Sequence, residues 1–281
     1  MTTVLRSVAQ LRAWRRELPV GTRVGLVPTM GALHEGHMSL VKLAQLRCDV
    51  TVVSIFVNPL QFGPNEDLTK YPRPIEKDLE QLQASGVDAL FLPPVEAVYR
   101  QDASTFVVEE CVSTPLCGAF RPGHFRGVAT VVLKLFNLVQ PDIAFFGQKD
   151  AQQCAVIERM VRDLDVPVEI VRGPIVREAD GLALSSRNVY LTPQERAVAP
   201  KIFESLTAAR TAYERGERDA RALVAVGREV LAAEPLLRVQ YWEVRDPASL
   251  EAIERVGKGG ALLAVAAHLG TTRLIDNLVL S

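Results

Sequence analysis

The chain has 281 residues, 48% of them hydrophobic and 23% charged, with a formal net charge of −1. That length accommodates about two domains, and the near-neutral balance argues against a general nucleic-acid surface, which needs an excess of Lys and Arg. No apolar run reaches transmembrane length, which argues against a membrane protein, and the amino-terminal stretch lacks the apolar core of a secretory signal, so a cytoplasmic protein is expected.

From Ser7 to Glu17, Val8, Leu11 and Trp14 recur at helical spacing, giving a short amphipathic helix ended by Pro19. Val24 to Val27 then reads as a buried strand, broken at Pro28 and Gly31, before a helical pattern that turns Leu40, Leu43 and Leu46 inward. Strand, glycine turn and helix form an anion-binding layout. The first amides of such a helix have no intrahelical partner, and the helix dipole favours negative charge there. His34 and His37 lie three apart at this entrance. If the helix begins near Leu33 they share a face, and each imidazole can donate to a phosphate oxygen. A single histidine here is more often a cap or a surface residue than a catalyst; two in register behind a glycine turn bring the functional and structural readings level. A zinc reading of the pair lacks further ligands.

Asp49 to Val57 is a β-branched run that reads as a second buried strand. It ends in Asn58, Pro59 and Gln61, at the edge where open α/β sheets bind ligands. Gln61 offers a polar substrate both a donor and an acceptor. Residues 65–74 are polar and irregular, as a loop over a site would be. Ile75 to Ala84 is helical, ended by Gly86 ahead of a strand from Ala89 to Leu92. Asp78 and Gln81 share a face of that helix, which suits a solvated surface better than a magnesium site. Thr105 to Val112 is strand-like without an obvious covering helix, a segment suited to pairing with a partner subunit.

Cys117 to Val128 carries three glycines with Arg121, His124 and Arg126, a loop that either holds a polyphosphate or turns the chain. A buried helix from Ala129 to Leu138 and a strand from Ile143 to Phe146 lead to a second glycine junction, Gly147 to Gln153. Gly147 permits close backbone approach, Lys149 supplies a point charge, and Asp150 can cap the next helix or orient a metal or hydroxyl. Gln153 follows one turn into that helix, which runs from Ala151 to Leu164 before a strand from Val168 to Val171. The repeated strand, turn, helix order predicts an α/β fold, a parallel sheet with helices on both faces. The four cysteines, Cys48, Cys111, Cys117 and Cys154, have no metal-like or redox-like spacing and read as reduced thiols.

Ser185, Ser186, Arg187 and Asn188 form a compact polar cluster whose hydroxyls and guanidinium suit phosphate oxygens. A change of style near Val176 divides the chain into domains of residues 1–175 and 176–281. Thr192, Pro193 and Glu195 make a capping box that starts a helix to about Gly216. A second helix spans Asp219 to Glu234. Strand-like runs at Val239 to Val244, Ala261 to His268 and Leu274 to Leu280 predict a small antiparallel sheet, so the second domain is α+β. His268 alternates within an apolar strand and reads as structural.

Four stretches, PTMGALHEGH, NPLQF, GQKDAQQ and LSSRN, in this order and at these separations, resemble the pantothenate synthetase family, ATP-dependent ligases of pantoate and β-alanine. The His-x-Gly-His element alone indicates only the wider nucleotidyltransferase superfamily; the two glutamines and the Lys-Asp junction single out this family. The resemblance implies a Rossmann-like amino-terminal domain, a smaller carboxy-terminal domain that closes over ATP, and a homodimer. It implies that the pantoate carboxylate attacks the α-phosphorus of ATP to give pantoyl adenylate and pyrophosphate, and that the β-alanine amine then displaces AMP. Met30, Gly31, Ala32, Leu33, His34, Glu35, Gly36 and His37 match the family's first ATP-contact segment. Gly147, Gln148, Lys149 and Asp150 match the second, and Val176, Leu184, Ser185, Ser186 and Arg187 the third. His37 takes the family's proton-donor role, with His34 and Lys149 the other catalytic groups. Gln61 and Gln153 would hold pantoate, Gln61 also lying near β-alanine. Mg2+ would ride on the phosphates, with Asp78 and Gln81 as protein-side candidates. Gln148 stands where the family usually has Glu, and Leu184 where it usually has Met.

Overall fold

The computed structural model describes residues 1–64 and 66–281; Asn65, which opens the expected loop over the site, lies outside the described residues. In chain order the elements are β1 (Thr3–Leu5), α1 (Val8–Glu17), β2 (Val24–Thr29), α2 (Glu35–Arg47), β3 (Val50–Ile55), α3 (Ile75–Ala84), β4 (Ala89–Phe91) and α4 (Val95–Val98). Then come α5 (Cys117–Phe120), α6 (His124–Val139), β5 (Ile143–Gly147), α7 (Ala151–Asp163), β6 (Glu169–Gly173), α8 (Pro193–Val198), α9 (Lys201–Glu214), α10 (Ala220–Ala232), β7 (Leu237–Arg245), β8 (Ala261–Leu269) and β9 (Thr272–Leu280). They fall into two compact units. The first comprises Met1–Glu110, Arg121–Gln148 and Val156–Pro174, the second Cys111–Phe120, Lys149–Ala155 and Ile175–Ser281.

The first unit is built on a six-stranded parallel sheet in the order β1-β4-β3-β2-β5-β6. Its central strands β2, β3 and β5 are largely apolar runs because both faces are covered, while the edge strand β6 carries Glu169 and Arg172. Ile143 and Phe145 of β5 pack with Met38, Val41 and Ala44 of α2 and Leu82 of α3. The next residue, Phe146, points the other way and meets Phe136 of α6 edge-on at 6.5 Å. The strand order reverses between β2 and β5, since the chain leaves β2 toward β3 and leaves β5 toward β6. Carboxyl ends of parallel strands at such a reversal frame a ligand crevice.

Several elements differ from the sequence expectation. The helix α2 starts at Glu35, with His34 as its cap. Its inward face is Met38, Leu40, Val41 and Ala44 with Leu43 partly buried, so Leu40 and Leu43 turn inward as expected, whereas Leu46 is 85% exposed. Two residues beyond Ala44, at 3.6 residues per turn, Leu46 stands about 200° round the helix from it. Strand β2 continues through Pro28 to Thr29, which is tolerated because pairing with β5 ends at Leu26 and leaves β3 as its neighbour there. Residues 103–110 form no strand; the Val107 amide donates to the Thr130 hydroxyl (3.0 Å) instead of a ladder. Helix α6 starts at His124, so His124, Arg126 and Gly127 are helical and the expected glycine loop contracts to a turn at Gly123, φ 80°.

In the second unit β7, β8 and β9 make an antiparallel sheet in that order, as expected. Leu206 of α9, Leu223 of α10, Trp242 and Val265 share its core, and the Trp242 indole donates to Ser205 Oγ (3.0 Å). The capping box at Thr192 is present, but the expected single helix to Gly216 is two helices. Pro200 has no amide to donate and its ring clashes with the carbonyl four residues back, so α8 stops and α9 restarts there. The four cysteines are free thiols. Among the described residues no helix is long and apolar enough to cross a membrane.

Helix α6 approaches the 59–61 turn so closely that a Cβ at Gly127 would lie 2.3 Å from the Leu60 carbonyl oxygen. Gly127→Ala is therefore expected to lower the unfolding free energy by about 1–3 kcal/mol, as overpacking does, measured by urea denaturation of the purified variant.

Candidate functional site

The turn after β2 is held by side chains, because it is not helical until Glu35. Thr29 Oγ1 donates to the Ser54 carbonyl (2.8 Å) and accepts from the Gly31 amide (3.1 Å). Gly31 and Ala32 both adopt left-handed backbone, φ 82° and 51°. Glycine takes this conformation freely, but alanine does so only when its surroundings compel it. What compels Ala32 is Asp78. One carboxylate oxygen accepts from the Ala32 amide and the other from the Leu33 amide, both at 2.8 Å. Asp78 is fully buried, not on a solvated helix face as its spacing with Gln81 suggested. Burial pushes its carboxyl above the ordinary 3.8, with the two amide bonds opposing that rise.

The histidines then close the helix start on each other. The Gly36 amide donates to His34 Nδ1 (3.1 Å), and the His34 amide donates to His37 Nδ1 (3.3 Å). This is a capping box, made with two imidazoles in place of the usual hydroxyl and carboxylate. A ring nitrogen that accepts an N–H carries no proton, so both rings hold theirs on Nε2. The rings stand 4.1 Å apart between centroids. Capping and donating are thus compatible: Nδ1 serves the helix, and Nε2–H is the donor of each ring.

Gln61 ends a short helical turn beyond β3, Pro59–Gln61. Its amide nitrogen donates to Met30 Sδ (2.9 Å), and its oxygen accepts from Asn58 Nδ2 (3.2 Å). Asn58 is 1% exposed and engaged at both ends of its amide: Nδ2 also donates to the Gly127 carbonyl (3.0 Å), while Oδ1 accepts from Tyr99 Oη (3.0 Å) and the Leu60 amide (3.3 Å). Burial raises the Tyr99 phenol, which keeps it a donor. The Gln61 carbonyl is fixed by Arg121 Nη2 (3.2 Å) and His124 Nδ1 (2.8 Å). Arg121 in turn forks onto Glu66 at 2.7 and 2.6 Å. Arg121 and His124, expected in a glycine-rich loop that either holds a polyphosphate or turns the chain, are in this structure the supports of Gln61.

Gly147 and Gln148 close β5 at the same carboxyl-end edge of the sheet as the turn after β2. Gln148 Oε1 accepts from Arg172 (3.4 Å), whose guanidinium is forked onto Glu158. In the second unit, Lys149 and Asp150 lie in the helical turn before α7, Gln153 on the first turn of α7, and all are half-buried. There Val176 and Leu184 are joined by a backbone bond from the Leu184 amide to the Val176 carbonyl (3.0 Å). Ser185 caps the turn Ser186–Tyr190, its hydroxyl accepting from the Arg187 amide (3.3 Å).

Within the first unit, therefore, Met30 and Gln61 are in contact, and Ala32, Leu33, Asp78 and the histidine pair form one construction. Gly147 and Gln148 take their place from the sheet. Among the described residues no group of three or more His, Cys, Asp or Glu gathers as a metal site, and both Asp78 oxygens carry amide bonds. Sequence reasoning did not find Tyr99, Arg121 or His124 as supports. The i, i+3 spacings of Asn58 with Gln61 and of Arg121 with His124 are the signals that were available.

Comparison with known proteins converges on one chemistry. A family model described as pantoate-beta-alanine ligase matches residues 3–279. A pantothenate synthetase of Chloroflexus aurantiacus is 54% identical over 277 residues, 99% of this chain and 98% of that one. The crystal structure of pantothenate synthetase from Thermus thermophilus superposes with a TM-score of 0.94 at 48% identity, covering 99% of both chains. That of pantoate-beta-alanine ligase from Francisella tularensis, complexed with beta-gamma ATP and beta-alanine, gives 0.83 at 33% identity, covering 99% of this chain and 98% of that one.

The support beneath Gln61 makes a pH prediction. Burial would raise the Glu66 carboxyl, but the hydrogen bond and charge of Arg121 outweigh it, and the group sits below the ordinary 4.5. A lowered folded-state value contributes stability that is fully present above 4.5 and is lost as pH falls through it toward the folded value. The stability difference between the parent protein and Glu66→Gln, from denaturation at a series of pH values, is expected to be flat above 4.5 and to shrink below it.

Proposed function

Because this chain belongs to the pantoate-beta-alanine ligase family, we propose that its residues carry the ligation through an acyl adenylate. The enzyme joins pantoate to β-alanine at the cost of ATP, giving pantothenate, AMP and pyrophosphate. A carboxylate cannot be displaced directly by an amine, since its leaving group would be oxide. In the first step a pantoate carboxylate oxygen attacks the α-phosphorus and pyrophosphate leaves. In the second the neutral β-alanine amine attacks the acyl carbon, AMP departs with the bond electrons, and the amine proton passes to solvent.

The observation that carries this reading is the histidine capping box, which commits both ring protons to Nε2 at the amino end of α2. Negative charge builds on phosphate oxygens as the first step proceeds, and preorganised donors act most strongly where charge develops. We assign proton donation to His37, with His34 beside it and Lys149 as the point charge toward the phosphates; the Gly36 and His34 amides, which the sequence left open to an anion, are taken by the two rings. Met30 through His37, Gly147 through Asp150, and Val176 with Leu184 through Arg187 form the ATP contacts. Gln61 and Gln153 hold pantoate, and Gln61 faces β-alanine. The Francisella tularensis relative was solved in complex with beta-gamma ATP and beta-alanine, which supports both ligands for this chain. Magnesium enters with the ATP phosphates as part of that substrate; the amide-bound Asp78 and its neighbour Gln81 do not fit a protein-held ion. We read residues 1–175 and 176–281 as the two domains, the second contributing the third ATP segment. We read the protein as a cytoplasmic homodimer, the dimer on the family resemblance and the location on its four free cysteines.

Pantoate alone is expected to drive exchange of labelled pyrophosphate into ATP, and AMP is expected to accumulate only with pantoate and β-alanine together. His37→Ala should lower the exchange rate by about 10²–10³, as loss of one preorganised donor does; near-full turnover in that variant would refute the assignment.

A further inference from the structure

Strand β9 carries two buried polar residues in succession, Asp276 and Asn277, each 4% exposed. Consecutive strand residues face opposite ways, so the two side chains reach different parts of the second unit. Asp276 receives both arms of Arg177, at 2.5 and 2.9 Å, and the Asn277 amide at 2.8 Å. Arg177 also donates to the Gly181 carbonyl (3.0 Å), and its guanidinium lies 3.7 Å over the Phe203 ring. That clasp holds a hairpin whose rungs run from Glu178 N to Leu182 O (2.8 Å) and from Leu184 N to Val176 O (3.0 Å). The hairpin delivers the chain directly to Ser185, Ser186 and Arg187, and Asn188 Nδ2 ties that turn back to the Ala183 carbonyl (3.2 Å). Asn277 Nδ2, meanwhile, donates to the carbonyl of Lys149 (2.9 Å). Two adjacent residues of one strand therefore hold the backbone at Lys149 and the root of the Ser185–Arg187 turn.

We propose that Asp276 and Asn277 are positioning residues that fix Lys149 and the Ser185–Arg187 turn in one frame, so that their phosphate-binding groups act together on ATP. The inference rests on the reading of Lys149 and Ser185–Arg187 as ATP contacts. A backbone carbonyl pinned by a buried amide restricts where the Lys149 side chain can begin. Misplacement of a charged group by about 1 Å is enough to cost about 10² in rate. Neither β9 residue needs to touch substrate for this.

The test is a double-mutant cycle on the intact enzyme, reading pantoate-dependent pyrophosphate exchange. Asn277→Ala is expected to lower kcat/KM for ATP at least about tenfold while KM for pantoate stays within about twofold. In a Lys149→Ala background the same substitution should cost no more than about twofold, because the group it positions is already gone. Asn277→Ser is carried in parallel, and each variant is compared at a temperature well below its thermal unfolding midpoint, so that a folding defect in one does not decide the outcome. Equal losses in the two backgrounds, or an unaltered ATP dependence in a folded Asn277 variant, would overturn the positioning role and leave the ATP reading intact. Unaltered exchange in Lys149→Ala would overturn both, and so identifies the premise as the failure.

Discussion

The site in the first unit depends on one carboxylate with two amides. Asp78 sits on α3, 46 and 45 residues from its partners Ala32 and Leu33, and nothing local would hold those two residues as they are. An alanine in left-handed backbone is unfavourable on its own, and a buried carboxylate is unfavourable on its own. Joined, each removes the other's penalty. The strain at Ala32 is fixed by hydrogen bonds to a group anchored in a packed helix, and the buried charge is satisfied by donors that have no other use at that turn. The position of the histidine cap follows, since it begins at the very next residue.

The same logic recurs at Gln61. The sheet brings β3 to an end beside β2, but it does not decide how a glutamine beyond the strand stands. Asn58 does that, using both ends of its amide, and Arg121 with His124 fixes the carbonyl from the other side. A side chain as flexible as glutamine loses rotamer freedom on binding unless it is already ordered, so supports of this kind convert a generic polar residue into a preorganised one. His34 and His37 are a further case, in which one ring nitrogen serves structure and the other carries the proton.

What could be read from the sequence divides along a physical line. Strands β2 to β6 of the parallel sheet, the longer helices between them and the antiparallel sheet of β7, β8 and β9 were legible because apolar periodicity reports burial directly; β1, three residues paired with β4, is too short to show a period. The candidate positions His34, His37, Gln61 and the Gly147–Asp150 junction were legible as polar types at strand ends. The burial of Asp78 was not, because its cause is a turn far away in sequence, and an acid on an amphipathic helix reads by default as solvated. Leu46 misled for the opposite reason: a leucine in a helical run suggests an inward face, but the phase of α2 is set by Met38, Val41 and Ala44. Thr105 to Val112 has strand composition without a strand neighbour within the described residues, and composition cannot supply one. Pro200 was a plain local signal for a helix break.

Core and anchors answer to different terms of the free energy. Val27, Val53, Leu90 and Phe145 gain from burial roughly in proportion to area, a non-directional term that tolerates a change of shape. Asp78 and Asn58 gain from directional bonds whose loss leaves buried donors unpaired, a cost of about 1–3 kcal/mol for each group. A truncation in the apolar core therefore lowers stability while the turn and Gln61 keep their hydrogen-bond partners. Loss of an anchor frees the backbone or side chain it held, and the geometry of the site goes with it. Catalysis that relies on donors already in place is for that reason more sensitive to a few buried polar residues than to the larger hydrophobic core that carries most of the folding energy.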